Sequence, residues 1–201
     1  MQRERENNPK LCLDVCSGKD GGSQSFKAAG YNVVTIDIDR KLKPTIIADV
    51  NNIPLKAHLN PDVLLMWPPC DQFNLMSSQW PKVGIKDALT LVGSCLELVN
   101  YLQPKKWLLE NPKGRLRWFI GKPRQTIYYS DYDFNYKAQK PTDLWGNIQL
   151  PMPKQVRRPR TKINGKHTPN FYKAFTSNPN ENAEVPLGVS QAIREAVEIS
   201  Y

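Results

Sequence analysis

The stretch LCLDVCSGKDGG, residues 11–22, decides the fold of this chain. Its first five residues form a short apolar run, which predicts a buried strand, and the glycines after it predict a sharp turn where the backbone can approach a ligand closely. Residues 23–30 then predict a short helix that ends at Gly30. A strand, a glycine-rich loop and a helix in this order are typical of an α/β fold.

The same alternation continues along the chain. Further apolar runs predict strands at residues 31–37, 45–49, 63–66 and 107–110. Helical spacing of apolar residues predicts helices at residues 86–102 and 190–199. After residue 125 the pattern weakens into segments rich in tyrosine and proline. The sequence therefore predicts a mostly parallel sheet with helices on both faces and the carboxyl ends of all its strands at one edge.

Composition and charge narrow the class of protein. The 201 residues suffice for one domain, and the net charge of +9 favours a polyanionic partner, with lysine and arginine dense between residues 137 and 173. The alternative for that region is a solvated basic face. No apolar run reaches the roughly 18 residues that cross a membrane, and the polar N-terminus does not resemble a secretion signal. Four cysteines without a disulfide or zinc pattern favour a reducing, intracellular compartment and predict no metal site.

Three acidic residues follow three successive strands of the predicted sheet. Asp14 lies at the end of the first, Asp37 ends the second and Asp49 ends the third. The loop at residues 16–22 lacks the Gly-Lys-Ser/Thr ending of phosphate loops and the glycine spacing of nicotinamide binders. Three carboxylates repel pyrophosphate but suit a ligand with a ribose, an amine and a positive centre, so S-adenosylmethionine fits better than NAD or ATP. The alternative is that these acids are ordinary turn residues at strand ends.

A thiol follows the fourth strand in the segment WPPCDQFN, residues 67–74. Two prolines stiffen this turn and remove two backbone donors, so it cannot continue a central strand. Cys70 is then either a nucleophile or a small packed residue. Glu110 ends the next strand and should emerge at the same edge, where a carboxylate can hold or donate a proton during thiol addition. The alternative for Glu110 is a capping or salt-bridge acid.

Taken in order, these segments resemble motifs of the DNA cytosine-5 methyltransferase superfamily, in the short form found in phages and other viruses. The segments are DxxSGxxGG at 14–22, DID at 37–39, DV at 49–50, PPCxxF at 68–73 and EN at 110–111. KPTDLWGN at 140–147 and EVPLGVSQAI at 184–193 extend the resemblance, which spans residues 11–199. It implies the Rossmann-like class I methyltransferase fold, S-adenosyl-L-methionine as cofactor and an intracellular site of action in a prokaryote or a virus-infected cell.

The resemblance also implies a role for each motif. Cytosine is flipped out of the helix, the Cys70 thiolate attacks ring carbon 6, Glu110 hydrogen-bonds ring nitrogen 3, and Asn111 orients the catalytic loop. Arg157 is a fourth catalytic candidate, because residues 155–160 match half of the family's Gln-x-Arg-x-Arg motif. The residues implied to bind the cofactor are Asp14, Cys16, Ser17, Gly18, Gly22, Asp37, Ile38, Asp49, Val50 and Pro68.

The acceptor implied by the resemblance is DNA, most readily double-stranded. The residues expected to contact it are Trp67, Gln72, Lys140, Arg158, Arg160 and Lys162. We expect a single catalytic domain over residues 1–201, in which residues 146–185 form a short basic insertion in place of a large target-recognition domain. The recognised DNA sequence should then be short or weakly specified, or the specificity should be supplied by a partner or a homodimer. RNA or nucleotide methylation, and a non-catalytic nucleic-acid-binding module, remain as alternatives.

Overall fold

The computed structural model describes residues 8–53, 59–73, 84–136, 138–156, 160–163, 166–169 and 184–199. Its strands are β1 (Leu11–Val15), β2 (Asn32–Asp37), β3 (Ile46–Ile47), β4 (Val63–Met66), β5 (Lys106–Pro112), β6 (Gln125–Tyr128), β7 (Pro141–Gly146), β8 (Arg160–Ile163) and β9 (Lys166–Pro169). Its α-helices are α1 (Gln24–Ala28), α2 (Ile85–Leu102), α3 (Arg117–Ile120), α4 (Tyr129–Tyr132) and α5 (Leu187–Ile199).

Seven strands form one sheet in the order β3-β2-β1-β4-β5-β7-β6. Strands β1 to β5 pair in parallel, which confirms the mostly parallel α/β architecture. The expectation that every strand ends at one edge is wrong for β7, which runs antiparallel between β5 and β6. The connection from β6 to β7 spans residues 129–140 and contains α4, and it can return directly because antiparallel neighbours need no crossover past the sheet. The start of β7 therefore lies at the edge where β1, β4 and β5 end.

Helices cover both faces of the sheet, as the alternation of buried residues predicts. On one face, Phe26 of α1 and Ile193 of α5 pack with Cys12, Val63 and further alternate residues of the strands into one apolar core. On the other face, α2 packs on a second core that includes the neighbouring strand positions. Because successive side chains of a strand point to opposite faces, near-continuous apolar strands are required here. The sheet is thus held between two apolar cores, one on each face.

Element boundaries differ from the expectations mainly around β3 and β5. The third strand covers only Ile46–Ile47 instead of residues 45–49. The fifth continues past Glu110 to Pro112, because Asn111 and Pro112 pair with β7. The segment after residue 125, where the pattern fades, contains β6, α4 and β7. Across the part of the chain described, no helix combines the length and the apolar character needed to cross a membrane.

Candidate active site

A cavity of about 130 Å³ opens at the edge of the sheet where β1, β4 and β5 end. Cys16, Ser17 and Gly18 of the loop after β1 line one side. The other side is lined by Cys70 and Glu110, and by three further residues that the sequence nominated, namely Trp67, Pro68 and Lys140. The structure therefore brings the expected cofactor loop and the expected catalytic thiol to one cavity. Parallel strands explain this, since loops that follow adjacent strands meet at the same edge.

Asp14 does not line this cavity, although the sequence nominated it for the cofactor. Its side chain is fully buried and accepts hydrogen bonds from the Ser23 hydroxyl and, at 2.6 Å, from Nε1 of Trp67. Burial raises the pKa of Asp14 to about 7, while Ser23 and Trp67 lower it. The carboxyl group thus ties the glycine loop to the turn that carries Cys70.

Gly22 makes that close approach possible. A Cβ atom at this position would lie 2.1 Å from Cζ2 of Trp67, so the indole ring occupies the space of a side chain. A Cβ on Gly21 would likewise meet the carbonyl oxygen of Val185 at 2.7 Å. Only glycine permits both contacts, and the second brings the segment before α5 against the loop. Val185 and Glu184 consequently complete the cavity wall.

The remaining residues that the sequence predicts to bind the cofactor do not line this cavity. The Asp37 carboxylate accepts the backbone amides of Gly18 and Asp39, each at 2.9 Å. Asp49 accepts the amide of Asn51 at 2.9 Å, and Val50 is buried. Carboxylates have further lone pairs, so Asp37 and Asp49 can still accept hydroxyl or amine donors of a ligand. Ile38 follows β2 with 68% of its surface exposed, which leaves an apolar surface at this edge.

Cys70 follows β4 on a turn that is closed by a hydrogen bond from the Phe73 amide to the Cys70 carbonyl, at 3.1 Å. The turn is held from beneath by the fully buried Asn111, whose Nδ2 donates to the Pro68 carbonyl at 3.0 Å. Burial raises the pKa of the Cys70 thiol, Lys140 lowers it and Glu110 raises it. The charged groups that act on the thiol are therefore the Lys140 ammonium and the carboxyl groups of Glu110 and Asp71.

Glu110 is buried, with 6% of its surface exposed, and its Oε1 accepts a hydrogen bond from the Tyr129 hydroxyl at 2.9 Å. Burial raises the pKa of Glu110, whereas Lys140, Tyr129 and a hydrogen bond with Thr142 lower it. The Lys140 ammonium lies 4.8 Å from the centre of the Tyr129 ring. Tyr129 therefore contacts both groups, and nothing in its sequence context marks it as part of this site. The sequence does not reveal that β5 pairs with β7, and this pairing is what brings Lys140 close to Glu110.

The loop after β1 offers a ligand one unpaired polar atom and an unhindered stretch of backbone. Oγ of Ser17 is buried at the cavity and has no hydrogen-bond partner among the described residues. Buried hydroxyl groups are nearly always paired, so this atom is suited to a polar group of a ligand. Gly18 has a φ of +55° and open space at its Cβ position, so its backbone presents no steric barrier there. No group of acidic, histidine and cysteine side chains able to hold a metal occurs within the described residues.

Gln72, which the sequence predicts to contact DNA, does not line this cavity. Gln72 donates to Asp71 at 2.6 Å, on the same turn as Cys70. Arg157 and Arg158 lie outside the described residues. Arg160 and Lys162 lie in β8, which pairs with β9 as a two-stranded sheet. Their roles stay predictions.

No family model matches the chain. A probable DNA (cytosine-5)-methyltransferase of frog virus 3 is 30% identical over 160 residues, which cover 71% of this chain and 72% of that protein. The type II methyltransferase M.AquIA of a Picosynechococcus species is 28% identical over 138 residues, covering 59% of this chain and 54% of its own.

Among solved structures, one named for a prophage-encoded DNA modification methyltransferase of E. coli is similar with a TM-score of 0.51. The identity is 18%, and the match covers 74% of this chain and 52% of that one, which supports the fold. The chain spans about half the length of this structure and of M.AquIA. The viral relative matches most of its own length, and the cysteine, glutamate and glycine-loop motifs meet at one cavity. The chain belongs to the DNA (cytosine-5)-methyltransferase family.

Proposed function

We propose that this chain transfers a methyl group from S-adenosyl-L-methionine to carbon 5 of cytosine in DNA. One observation carries the proposal: a single cavity is lined by Ser17 and Gly18 of the loop after β1 and by Cys70 and Glu110 after β4 and in β5. A nucleophile, a proton donor and a cofactor loop at one cavity are the parts that this reaction needs. Membership of the family supplies the reaction class.

In the proposed reaction the chain binds a cytosine that has left the base stack. Cys70 forms a bond from its sulfur to ring carbon 6, and Glu110 gives its proton to ring nitrogen 3. Bound S-adenosylmethionine supplies the electrophilic methyl group. Cys70 later leaves as carbon 5 loses its proton and the ring double bond re-forms. The raised pKa of Glu110 supports this role, because a buried carboxyl group that holds its proton can donate it.

The residues proposed to bind the cofactor form two groups, one for each end of the S-adenosylmethionine molecule. Ser17, Gly18 and Cys16 would hold the methionine end, and Asp37, Asp49 and Ile38 the adenosine end. Asp14 would act on the cofactor only through the position of the loop and of Trp67, because its carboxyl group is already hydrogen-bonded by Ser23 and Trp67.

Double-stranded DNA is the acceptor we propose. The chain carries a net charge of +9 and a basic stretch over residues 146–185 that takes the place of a target-recognition domain. Phosphate contacts position a protein on DNA but carry no sequence information. We therefore expect the recognised DNA sequence to be short, or the sequence specificity to come from a partner or a second copy of the chain. All four cysteines are free thiols, which suits a reducing, intracellular environment.

The test is methyl transfer from labelled S-adenosylmethionine to duplex DNA, followed by nucleoside analysis. We expect label in 5-methylcytosine with the wild-type protein and none with Cys70→Ala. Cys12→Ala is the matched control, because Cys12 is a buried thiol of β1 that lies outside the cavity wall. A duplex with 5-fluorocytosine should trap a complex that survives denaturation, since a fluorine at carbon 5 cannot leave as a proton.

Three outcomes would contradict the proposal. Label in the product of Cys70→Ala would exclude the thiol mechanism. Label on RNA or free nucleotides, with none on DNA, would reassign the acceptor. Failure to bind the cofactor would leave a nucleic-acid-binding module without this activity.

A further inference from the structure

The segment from residue 113 to residue 124 connects β5 to β6, contains α3 and carries only positive charge. It has no acidic residue, and its cations are Lys113, Arg115, Arg117, Lys122 and Arg124. Arg117 stabilises the fold, because it pairs with the buried Asp143 of β7. Lys113, Lys122 and Arg124 are exposed to solvent. The segment therefore presents a basic surface, and such a surface attracts polyanions.

Two large aromatic side chains are exposed within the same segment. Trp118 exposes 66% of its surface and Phe119 exposes 46%. The Arg115 guanidinium lies 5.9 Å from the centre of the Trp118 ring, within the range of a cation–π interaction. Proteins that bind nucleic-acid strands combine aromatic rings with cations, since the rings stack on bases while the cations contact phosphates. The segment thus has both parts of a nucleic-acid-binding surface.

Close backbone contacts hold this segment against the turn that carries Cys70. The Arg115 amide donates to the Phe73 carbonyl at 2.9 Å, and the amide of Phe73 closes the Cys70 turn. A Cβ atom at Gly114 would lie 2.4 Å from the same carbonyl oxygen, so only glycine permits this approach. The ring centres of Phe73 and Phe119 lie 6.5 Å apart. The exposed aromatic residues are therefore adjacent to the proposed catalytic turn.

Phe134 shows that exposure of an aromatic ring does not by itself make such a surface. It is 65% exposed, nearly as much as Trp118, but Asp131 and Asp133 precede it closely in the chain. The negative charge of these carboxylates repels phosphates. Charge thus distinguishes the two aromatic sites and selects a polyanion as the occupant of the one around Trp118.

The proposed reaction creates a base face that Trp118 can cover. When cytosine leaves the base stack, each neighbouring base of its strand loses a stacking partner. An aromatic side chain that stacks on such a base replaces part of the lost contact, and it does so for any base because every base has a π-face. A surface beside the catalytic turn lies close to the place that this strand must occupy.

We propose that residues 113–124 bind the DNA strand that carries the target cytosine, with Trp118 stacked on a base next to the flipped nucleotide and Lys113 in contact with a phosphate. This rests on the proposed function. Neither contact depends on the identity of the base, so the surface adds affinity for DNA without extending the recognised sequence.

The first test measures stacking. A fluorescein-labelled oligodeoxycytidine is titrated with each protein, and fluorescence anisotropy gives the dissociation constant. Trp118→Ala should bind this single strand about 5- to 150-fold more weakly, the usual loss when a stacked base loses its aromatic partner. Trp118→Phe should recover part of the affinity, and Phe134→Ala, the matched control, should bind like the wild type. Equal affinities of Trp118→Ala and the wild type would overturn the stacking contact.

The second test measures the phosphate contact. Lys113→Gln should lower the slope of log K against log salt for duplex DNA by about 1, because one fewer counterion is released. Trp118→Ala should leave the slope unchanged, since stacking releases no counterion. Lys105→Gln is the control, because Lys105 pairs with Asp62 at the opposite edge of the sheet, where β5 begins. An unchanged slope in Lys113→Gln would overturn the contact assigned to this lysine.

Binding and methyl transfer fail separately in these experiments. If Trp118→Ala weakens binding to DNA while the wild-type protein transfers no methyl group, the proposed function fails and the binding surface is retained. If the wild type methylates DNA and neither substitution changes the binding of DNA, the surface fails alone. Binding of an oligoribonucleotide by the wild type, with none of DNA, would overturn DNA as the partner.

Discussion

Replacing Asp14 by asparagine should remove a pH dependence of stability that originates in the loop after β1. Asp14 is fully buried, and burial raises its pKa from 3.8 to about 7. The native state therefore holds this proton between about pH 4 and pH 7, where the unfolded chain has released it. The contribution of Asp14 to the free energy of unfolding has its full value below pH 4 and is lost as the pH rises through 7.

The magnitude follows from the displacement of the pKa. Each pH unit inside that interval costs about 1.4 kcal/mol of the free energy of unfolding, which amounts to about 2 kcal/mol between pH 5 and pH 7 once curvature near the upper limit is included. Asp14→Asn cannot ionise. Its amide oxygen can accept from Nε1 of Trp67 and its NH₂ group can donate to the Ser23 hydroxyl, so both partners stay satisfied.

The assay is urea denaturation of both proteins at pH 5, 6 and 7 and at constant ionic strength. The difference in unfolding free energy, wild type minus Asp14→Asn, isolates this group because all other titrating residues are shared. We expect the difference to fall by about 2 kcal/mol from pH 5 to pH 7. Parallel curves for the two proteins over this range would refute a raised pKa for Asp14.

Two further substitutions test the contacts that shape the cavity. Gly22→Val should destabilise the protein by about 1–3 kcal/mol and weaken cofactor binding in calorimetry, because the valine side chain would collide with Trp67. Gly93→Ala, at an open position of α2, is the control and should instead raise the melting temperature. Equal changes in stability for the two variants would contradict the steric account. Asn111→Ala should lower the free energy of unfolding, measured by chemical denaturation, by about 1–2 kcal/mol, because the turn at Pro68 loses its hydrogen bond. The same substitution should lower kcat more than it changes cofactor affinity. An unchanged kcat would show that catalysis does not depend on this hydrogen bond.

Much of the fold follows from local patterns. Apolar runs such as Val63–Met66 are buried on both faces, as parallel strands between two helical layers require, and their spacing alone indicates the sheet. The reversal at β7 has no comparable signal. Its sequence, PTDLWG, begins with proline and contains a buried aspartate, Asp143, that Arg117 of α3 neutralises. A strand that is stabilised by an ion pair with a residue distant in sequence need not show hydrophobic periodicity, so the sequence pattern does not predict it.

The sequence by itself determined which proposed reacting groups come together and the edge of the sheet at which they meet. Cys70 and Glu110 follow or end buried strands, and chain direction places the ends of parallel neighbours together. Only the tertiary structure decided what surrounds them. Lys140 and Tyr129 come from separate elements, and the antiparallel insertion of β7 beside β5 sets them against Glu110. Because such contacts depend on strand order and register, the charge environment of the thiol is a property of the folded chain.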